Sequence, residues 1–217
     1  MRRCEDREEL YKHLLWLKDR NADRDILVQE FLDIDHEIDL SGVALDQKII
    51  IPAIIRKTQV AMYEKGVTLA GVVKPAEELG QELLEKIEKL MKSFHYCGMF
   101  DLELSVANGN IYFNEVNLRS GGPNFSYFMS GVNLPALVVK EWLGQGHREE
   151  EEKVEAYGKH FIYEKVALDD YAHNMISKRQ LDNMLKKADI RLLEYEDDPA
   201  PTELFYELNQ ERAERIR

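Results

Sequence analysis

The chain has 217 residues, 44% of them apolar, which is enough for a buried core in one large domain or in one and a half. Its 29 basic and 41 acidic residues leave a net charge of −12; this argues against binding nucleic acid or an anionic membrane, because both need clustered Lys and Arg. The longest apolar runs are too short to span a bilayer, no apolar stretch follows Arg2 and Arg3 as in a signal peptide, and two cysteines, Cys4 and Cys97, make no disulfide framework, so a reduced cytoplasmic setting is expected.

Residues 5–21 read as a helix, because Leu10, Leu14 and Leu17 recur at helical spacing and Tyr11, Leu15 and Trp16 widen the stripe. Residues 26–32 read as a strand. A polar connection, Asp33-Ile34-Asp35-His36, leads to a second strand over 37–45, and Asp46-Gln47 reads as a turn. A third strand is expected over 48–58, with Pro52 marking an edge or a bulge, and a fourth extended piece over 66–74. Pro75 opens a long helix over 76–94 with Leu79, Leu83, Ile87, Leu90 and Met91 on its apolar face. Strands over 99–106 and 110–116 flank Ala107-Asn108-Gly109, a hairpin signal. A Gly-rich loop follows at 120–124, then a helix over 135–143 capped by Asn133. Residues 144–153, with four consecutive glutamates, read as a solvated connection. The remainder reads as a strand over 160–168, a helix over 177–188, a short strand over 191–195, a turn at 197–201 and a last helix capped by Thr202.

The hairpin carries the chemistry. Side chains alternate along a strand, so Asp101 and Glu103 share a face, as do Glu115 and Asn117 on the next strand. A two-residue Asn108-Gly109 turn would set Glu103 opposite Asn114 and split the carboxylates between the two faces. A three-residue loop with Gly109 in the left-handed position pairs Val106 with Asn110, sets Glu115 opposite Asp101, and places Glu103 diagonal to Glu115. We expect the three-residue register, or another odd loop, because it gathers carboxylate and amide oxygens around one point. Mg2+ takes a few such oxygens from protein and leaves its other positions to water and phosphate. Alternating carboxylates usually mark a solvated face; here Glu115, Asn117 and Arg119 add an amide and a guanidinium at successive same-face positions.

Phe113-Asn114-Glu115-Val116-Asn117-Leu118-Arg119, following Asp101-Leu102-Glu103, resembles the C-terminal metal-binding part of the ATP-grasp superfamily, in which ATP cleavage joins a carboxylate to an amine through an acyl-phosphate. Leu27-Val28-Gln29-Glu30-Phe31-Leu32, with Glu37 seven residues after Glu30, resembles the family's hinge strand, and the resemblance covers residues 26–143. It implies an α+β fold: a largely antiparallel sheet with flanking helices on one side, the C-terminal lobe of an ATP-grasp, plus a small α/β tail. Residues 1–148 would be a partial ATP-grasp domain and 149–217 a linker and small C-terminal extension. Glu30, Phe31 and Leu32 would face adenine and Glu37 the ribose hydroxyls, with Asp35 a near alternative. Glu103, Glu115 and Asn117 would hold Mg2+ or Mn2+ against the phosphates of ATP, and Arg119 would stabilise the transferring phosphoryl group.

The implied activity is that of an ATP- and Mg2+-dependent carboxylate–amine ligase of the carbamoyl-phosphate-synthase kind. The family's N-terminal half, with its phosphate-binding lysines, is expected to be missing from this chain, so the expected partners are that half or a second copy, besides small-molecule carboxylate and amine substrates. The alternative is a non-catalytic remnant that binds nucleotide weakly or serves as an interaction module. Arg56 and Lys57 read either as phosphate or carboxylate contacts or as a solvated strand end. Ser120-Gly121-Gly122 reads as a tight turn before an anion cradle. His36, His95 and His160 lack zinc spacing, and Cys97, Trp16 and Trp142 read as packing residues.

Overall fold

The computed structural model describes residues 2–22, 24–46, 48–194 and 198–216. Gln47, Tyr195 and Asp197, which figure in the expected turns and the expected 191–195 strand, lie outside these. The chain divides into two compact units, residues 1–34 and 35–217.

The first unit is built on α1 (Arg7–Lys18), which starts where the Asp6 carboxylate accepts the Glu9 N–H at 2.8 Å. None of its residues is fully buried. Trp16, expected to pack, is half exposed under the Arg20 guanidinium. The expected strand over 26–32 does not form. Leu27, Val28 and Phe31 are exposed, and no ladder pairs this segment, so its β-branched residues have no sheet to join.

The second unit is organised by one sheet. β1 (His36–Ala44) pairs antiparallel with β2 (Ile49–Ile50), β3 (Ile54–Val60) and β5 (Gly98–Ala107); β4 (Thr68–Lys74) pairs with β3, and β6 (Asn110–Asn117) with β5. The expected third strand is cut in two at Pro52, which has no N–H to give to a ladder. Two strands of the tail, β7 (His160–Ile162) and β8 (Ile190–Arg191), extend the sheet beyond β4, with β7–β8 the parallel pair. The order is β6-β5-β1-β3-β4-β7-β8.

Helices cover both faces rather than one. The face bearing Ile38, Leu40, Ile54, Phe100, Leu102 and Leu104 packs against α2 (Gln81–Ser93) through Ile87 and Met91. Gly80, at φ +80°, breaks the expected 76–94 helix and leaves its first turn as a 3-10 helix, Ala76–Leu79. The opposite face, with Val43, Ile55 and Val73, packs against Tyr127 of α3 (Asn124–Phe128) and Leu134, Leu137 and Val138 of α4 (Leu134–Trp142). Asn133 caps α4 as expected, accepting the Ala136 N–H at 3.0 Å. Trp142 and Cys97 are exposed rather than packed.

The glutamate run is solvated only in part: Glu149 and Glu150 are exposed as expected, but Glu151 and Glu152 are half-buried. The Lys48 ammonium lies 2.6 Å from Glu152, the His147 ring nitrogen lies 2.7 Å from the same carboxylate, and Lys140 lies 2.7 Å from Glu151. Opposite charges elsewhere in the fold give these acids partners that local sequence does not reveal.

In the tail, the apolar run 160–168 is a three-residue strand followed by a helix, α5 (Glu164–Ala172), because β4 offers β7 only the edge from Ala70 to Val72. α6 (Lys178–Lys187) begins at a Ser177–Gln180 capping box, and α7 (Ala200–Ile216) closes the chain. Thr202 lies inside α7 and bonds the Leu193 carbonyl instead of capping. No helix among the described residues is long and apolar enough to cross a membrane.

Glu164 is fully buried, accepts the Leu193 N–H at 3.2 Å, and has its carboxyl pushed above the ordinary value of 4.5 by burial. A carboxyl that holds its proton more tightly in the folded state favours folding when protonated. That contribution fades as pH rises from about 4.5 through the raised folded value. Glu164→Gln keeps an acceptor for Leu193 and removes the charge. It is expected to melt above the native chain at pH 7, with the gap closing near pH 4. Calorimetry at the two pH values checks this, and a variant that melts lower at pH 7 would refute it.

Candidate functional site

The hairpin between β5 and β6 decides whether the carboxylates meet. Asn108 and Gly109 both have positive φ, +50° and +73°, and Ala107 pairs with Asn110. The turn is therefore the two-residue kind that the Asn-Gly dipeptide favours, and the expected three-residue loop is wrong. The carboxylates still share a face. Leu104 pairs with Phe113, but the next pair is Glu103 with Glu115, so Asn114 is an extra residue, a β-bulge. Its amide donates to Ser105 Oγ at 2.7 Å, which fixes it over the same face. The bulge restores the alternation that the short turn inverts. Glu103 stands directly opposite Glu115, and Asp101 opposite Asn117.

Three further strands add to this face. β1 sets Asp39 beside Glu103 and Ser41 beside Asp101. From β3, Lys57 extends its ammonium to 3.0 Å from Glu37, 3.0 Å from Asp39 and 3.4 Å from Glu103, and its side chain is only 3% exposed. From β4, the Thr68 hydroxyl donates to Asp39 at 2.7 Å. Sequence left Lys57 open between a ligand contact and a solvated strand end; it is neither solvated nor at a free edge. The signal for it was its two-residue spacing from the buried Ile55, which puts both side chains on one face of β3.

Burial holds the Asp39, Asp101 and Glu103 carboxyls above the ordinary carboxylate range, against the attraction of Lys57. Burial alone would lower the Lys57 ammonium; Asp39, then Glu37 and Glu103, outweigh it and raise it well above the ordinary lysine value. One positive charge thus faces three carboxylates, and the cluster keeps a surplus of negative charge.

Asp101 is held by two contacts. Ser41 Oγ donates to it at 2.7 Å, and the Gly121 backbone presses so close that a Cβ there would lie 2.2 Å from Asp101 Oδ1. Gly121 is therefore a close-approach glycine that brings the 120–124 loop over the carboxylate. Tyr127, fully buried, anchors the same corner by accepting the Ser41 N–H and donating to the Ala53 carbonyl, each at 3.2 Å.

Asp39, Asp101, Glu103 and Arg119 line one cavity of about 180 Å³ together with Gly66, Val67 and Thr68 and, from the tail, Tyr163 and Leu192. Arg119 is exposed and donates to its neighbour Ser120's carbonyl at 2.9 Å. On β6 the Asn117 amide donates to Glu115 Oε1 at 2.8 Å. Glu37 is engaged by Lys57. Glu30, Phe31 and Leu32 belong to the first unit, and the other candidates belong to the second.

Glu103 and Glu115 face each other across the hairpin and the Asn117 amide nitrogen bonds Glu115, a residue set of the oxygen-rich kind that hard divalent cations take. Asp39 Oδ1 is buried without a hydrogen bond of good geometry and has the Lys57 ammonium as its countercharge. Among the described residues, no three acidic, His or Cys side chains are drawn into a closed cation cluster; the carboxylates are spread over β1, β5 and β6, with Lys57 between the first two.

This sheet with its flanking helices is the ATP-grasp fold. N5-Carboxyaminoimidazole synthetase from Staphylococcus aureus, complexed with ADP, matches with a TM-score of 0.55 and 14% identity, over 72% of this chain and 40% of that one. The biotin carboxylase domain of a thermophilic 2-oxoglutarate carboxylase, bound to bicarbonate, matches with a TM-score of 0.56 and 17% identity, over 73% of this chain and 37% of that one. In sequence, the chain is 26% identical over 154 residues to the C-terminal section of the carbamoyl phosphate synthase large chain of Aquifex aeolicus. It is 24% identical over 166 residues to the corresponding section from Methanocaldococcus jannaschii. These stretches are 69% and 74% of this chain but 28% and 25% of the relatives, so the chain spans about a quarter of their length. No family model matches it.

Proposed function

We propose that the chain supplies the metal- and phosphate-holding side of an ATP-grasp site, for ligation of a carboxylate to an amine through an acyl-phosphate. The observation that carries this reading is the bulge at Asn114, which brings Glu115 opposite Glu103 on the face that Asp39 and Asp101 share. A hairpin whose acids served only solubility has no need of an irregularity that brings Glu115 onto the face of Glu103. Glu103, Glu115 and Asn117 hold Mg2+ or Mn2+; when bound, the cation neutralises phosphate charge and fixes the phosphates in line. Arg119, at the cavity rim, meets the charge that develops on the phosphoryl group. Glu37 is assigned to the ribose hydroxyls, and its carboxylate is held by the Lys57 ammonium at 3.0 Å. An N-terminal ATP-grasp half or a second copy completes the cleft, and small carboxylate and amine substrates belong to the whole assembly.

The test is calorimetric titration of a non-hydrolysable ATP analogue into the chain, with and without Mg2+. Saturable binding that requires Mg2+ is expected. Binding that ignores Mg2+ would favour the alternative, a non-catalytic remnant with weak nucleotide affinity, for which the pairing of Lys57 with Asp39 and Glu103 is the specific observation.

A further inference from the structure

We infer that Lys57 is the site's resident cation: its ammonium fills the position among Glu37, Asp39 and Glu103, so that the site takes its divalent ion only on the Glu115 side. This rests on the reading of Glu103, Glu115 and Asn117 as cation ligands. The argument starts from charge. β1 and β5 place Glu37, Asp39, Asp101 and Glu103 on adjacent strands of one face, and β6 adds Glu115. Strands lie about 4.8 Å apart, so unscreened carboxylates there repel strongly. The described cations that meet this cluster are Lys57 and, through the cavity, Arg119.

Lys57 is placed as an ion would be. It is almost fully buried, and it touches three carboxylates from two strands at 3.0, 3.0 and 3.4 Å. A lysine stem has little reason to cross beneath β1's side chains to reach β5 unless the charge it meets there offsets its own desolvation. No pair links Lys57 to Glu115. Glu103 is therefore shared between two positions: its Oε2 faces the ammonium, and across the hairpin it faces Glu115. A divalent ion between Glu103, Glu115 and Asn117 leaves the Lys57 contacts to Glu37 and Asp39 in place. An ion between Glu37, Asp39 and Glu103 must first expel the ammonium.

Removing the charge should then open a second position. Lys57→Met deletes the ammonium and keeps the apolar stem; Lys57→Gln deletes the charge and keeps hydrogen-bond donors on a side chain one atom shorter. The full chain and each variant are compared by thermal unfolding in EDTA and in Mn2+, and bound Mn2+ is counted by electron paramagnetic resonance. Both variants are expected to melt lower than the native chain in EDTA, to regain stability in millimolar Mn2+, and to bind one more Mn2+ per chain. The additional ion should persist in Lys57→Met/Glu115→Gln, because its ligands are Glu37, Asp39 and Glu103. Variants that bind no more Mn2+ than the native chain, or that stay unfolded in Mn2+, would overturn the inference. Mg2+-dependent nucleotide binding by the native chain is read separately. Its loss alongside an extra Mn2+ in the variants would sink the proposed function and not the role of Lys57.

Discussion

Glu115→Gln is expected to weaken Mg2+-dependent binding of an ATP analogue at least tenfold, about 1.4 kcal/mol, while leaving the melting temperature nearly unchanged. The two halves of this expectation come from the same geometry. Glu115 lies on the edge strand β6, its side chain is exposed, and its recorded partner is the neighbouring Asn117 amide. It contributes little to the core, so an isosteric amide costs little folding stability. It faces Glu103 across the hairpin, so the change removes one of two opposed negative charges just where a cation must sit. Calorimetry with and without Mg2+ measures the first half and thermal unfolding the second. Unchanged Mg2+-dependent affinity would remove Glu115 from the site. A large fall in melting temperature would show instead that the pair is structural.

That the acids meet was legible in the sequence; how they meet was not. The spacing of Asp101, Glu103, Glu115 and Asn117 shows two same-face pairs, and only an offset between the strands brings the pairs together. The loop was given that task. Asn108-Gly109 is a strong two-residue turn signature and acts as one, and the offset is made at Asn114, five residues after Gly109. A bulge leaves no composition signal, because it is specified by the side chains it must align and by the Ser105 hydroxyl waiting on the next strand. Lys57 was left undecided, and Glu152 was read as solvated, for a related reason. Each is a charged residue in a locally polar stretch, and each owes its burial to opposite charges distant in sequence: Glu103 for Lys57, and Lys48 for Glu152. The helices with a stripe or cap signal, α1 and α4, stand where periodicity and capping put them, and α6 stands where its helix was expected. The segment 26–32 has strand composition without a ladder, since a strand is a property of a pair and not of seven residues.

Besides the β4–β7 ladder, a buried carboxylate ties the tail to the site's architecture. Asp170, on α5, is fully buried and accepts the backbone N–H groups of Met62 and Tyr63 at 3.0 and 2.8 Å. The Tyr63 ring stacks on His173 one turn further on, with centroids 3.4 Å apart, and Arg212 of α7 pairs with the adjacent Asp169 at 3.0 Å. The clamped segment is the turn between β3 and β4. Its far side supplies Gly66 and Val67 to the cavity and leads into Thr68, which donates to Asp39. Asp170→Ala frees two donors from a charged acceptor, and a loss on the order of 3 kcal/mol is expected, seen as a lower denaturation midpoint. The more informative outcome is at the cavity, whose lining does not include Asp170. If the clamp sets the position of Thr68, nucleotide affinity should fall several-fold in Asp170→Ala even under conditions where the variant is fully folded. Asp170→Asn, which keeps one acceptor, should fall between the variant and the native chain in both readouts. Full affinity in a folded Asp170→Ala would mean that the tail stabilises the sheet without shaping the site. A graded loss would mean that residues far beyond the acidic hairpin hold the cavity wall in place.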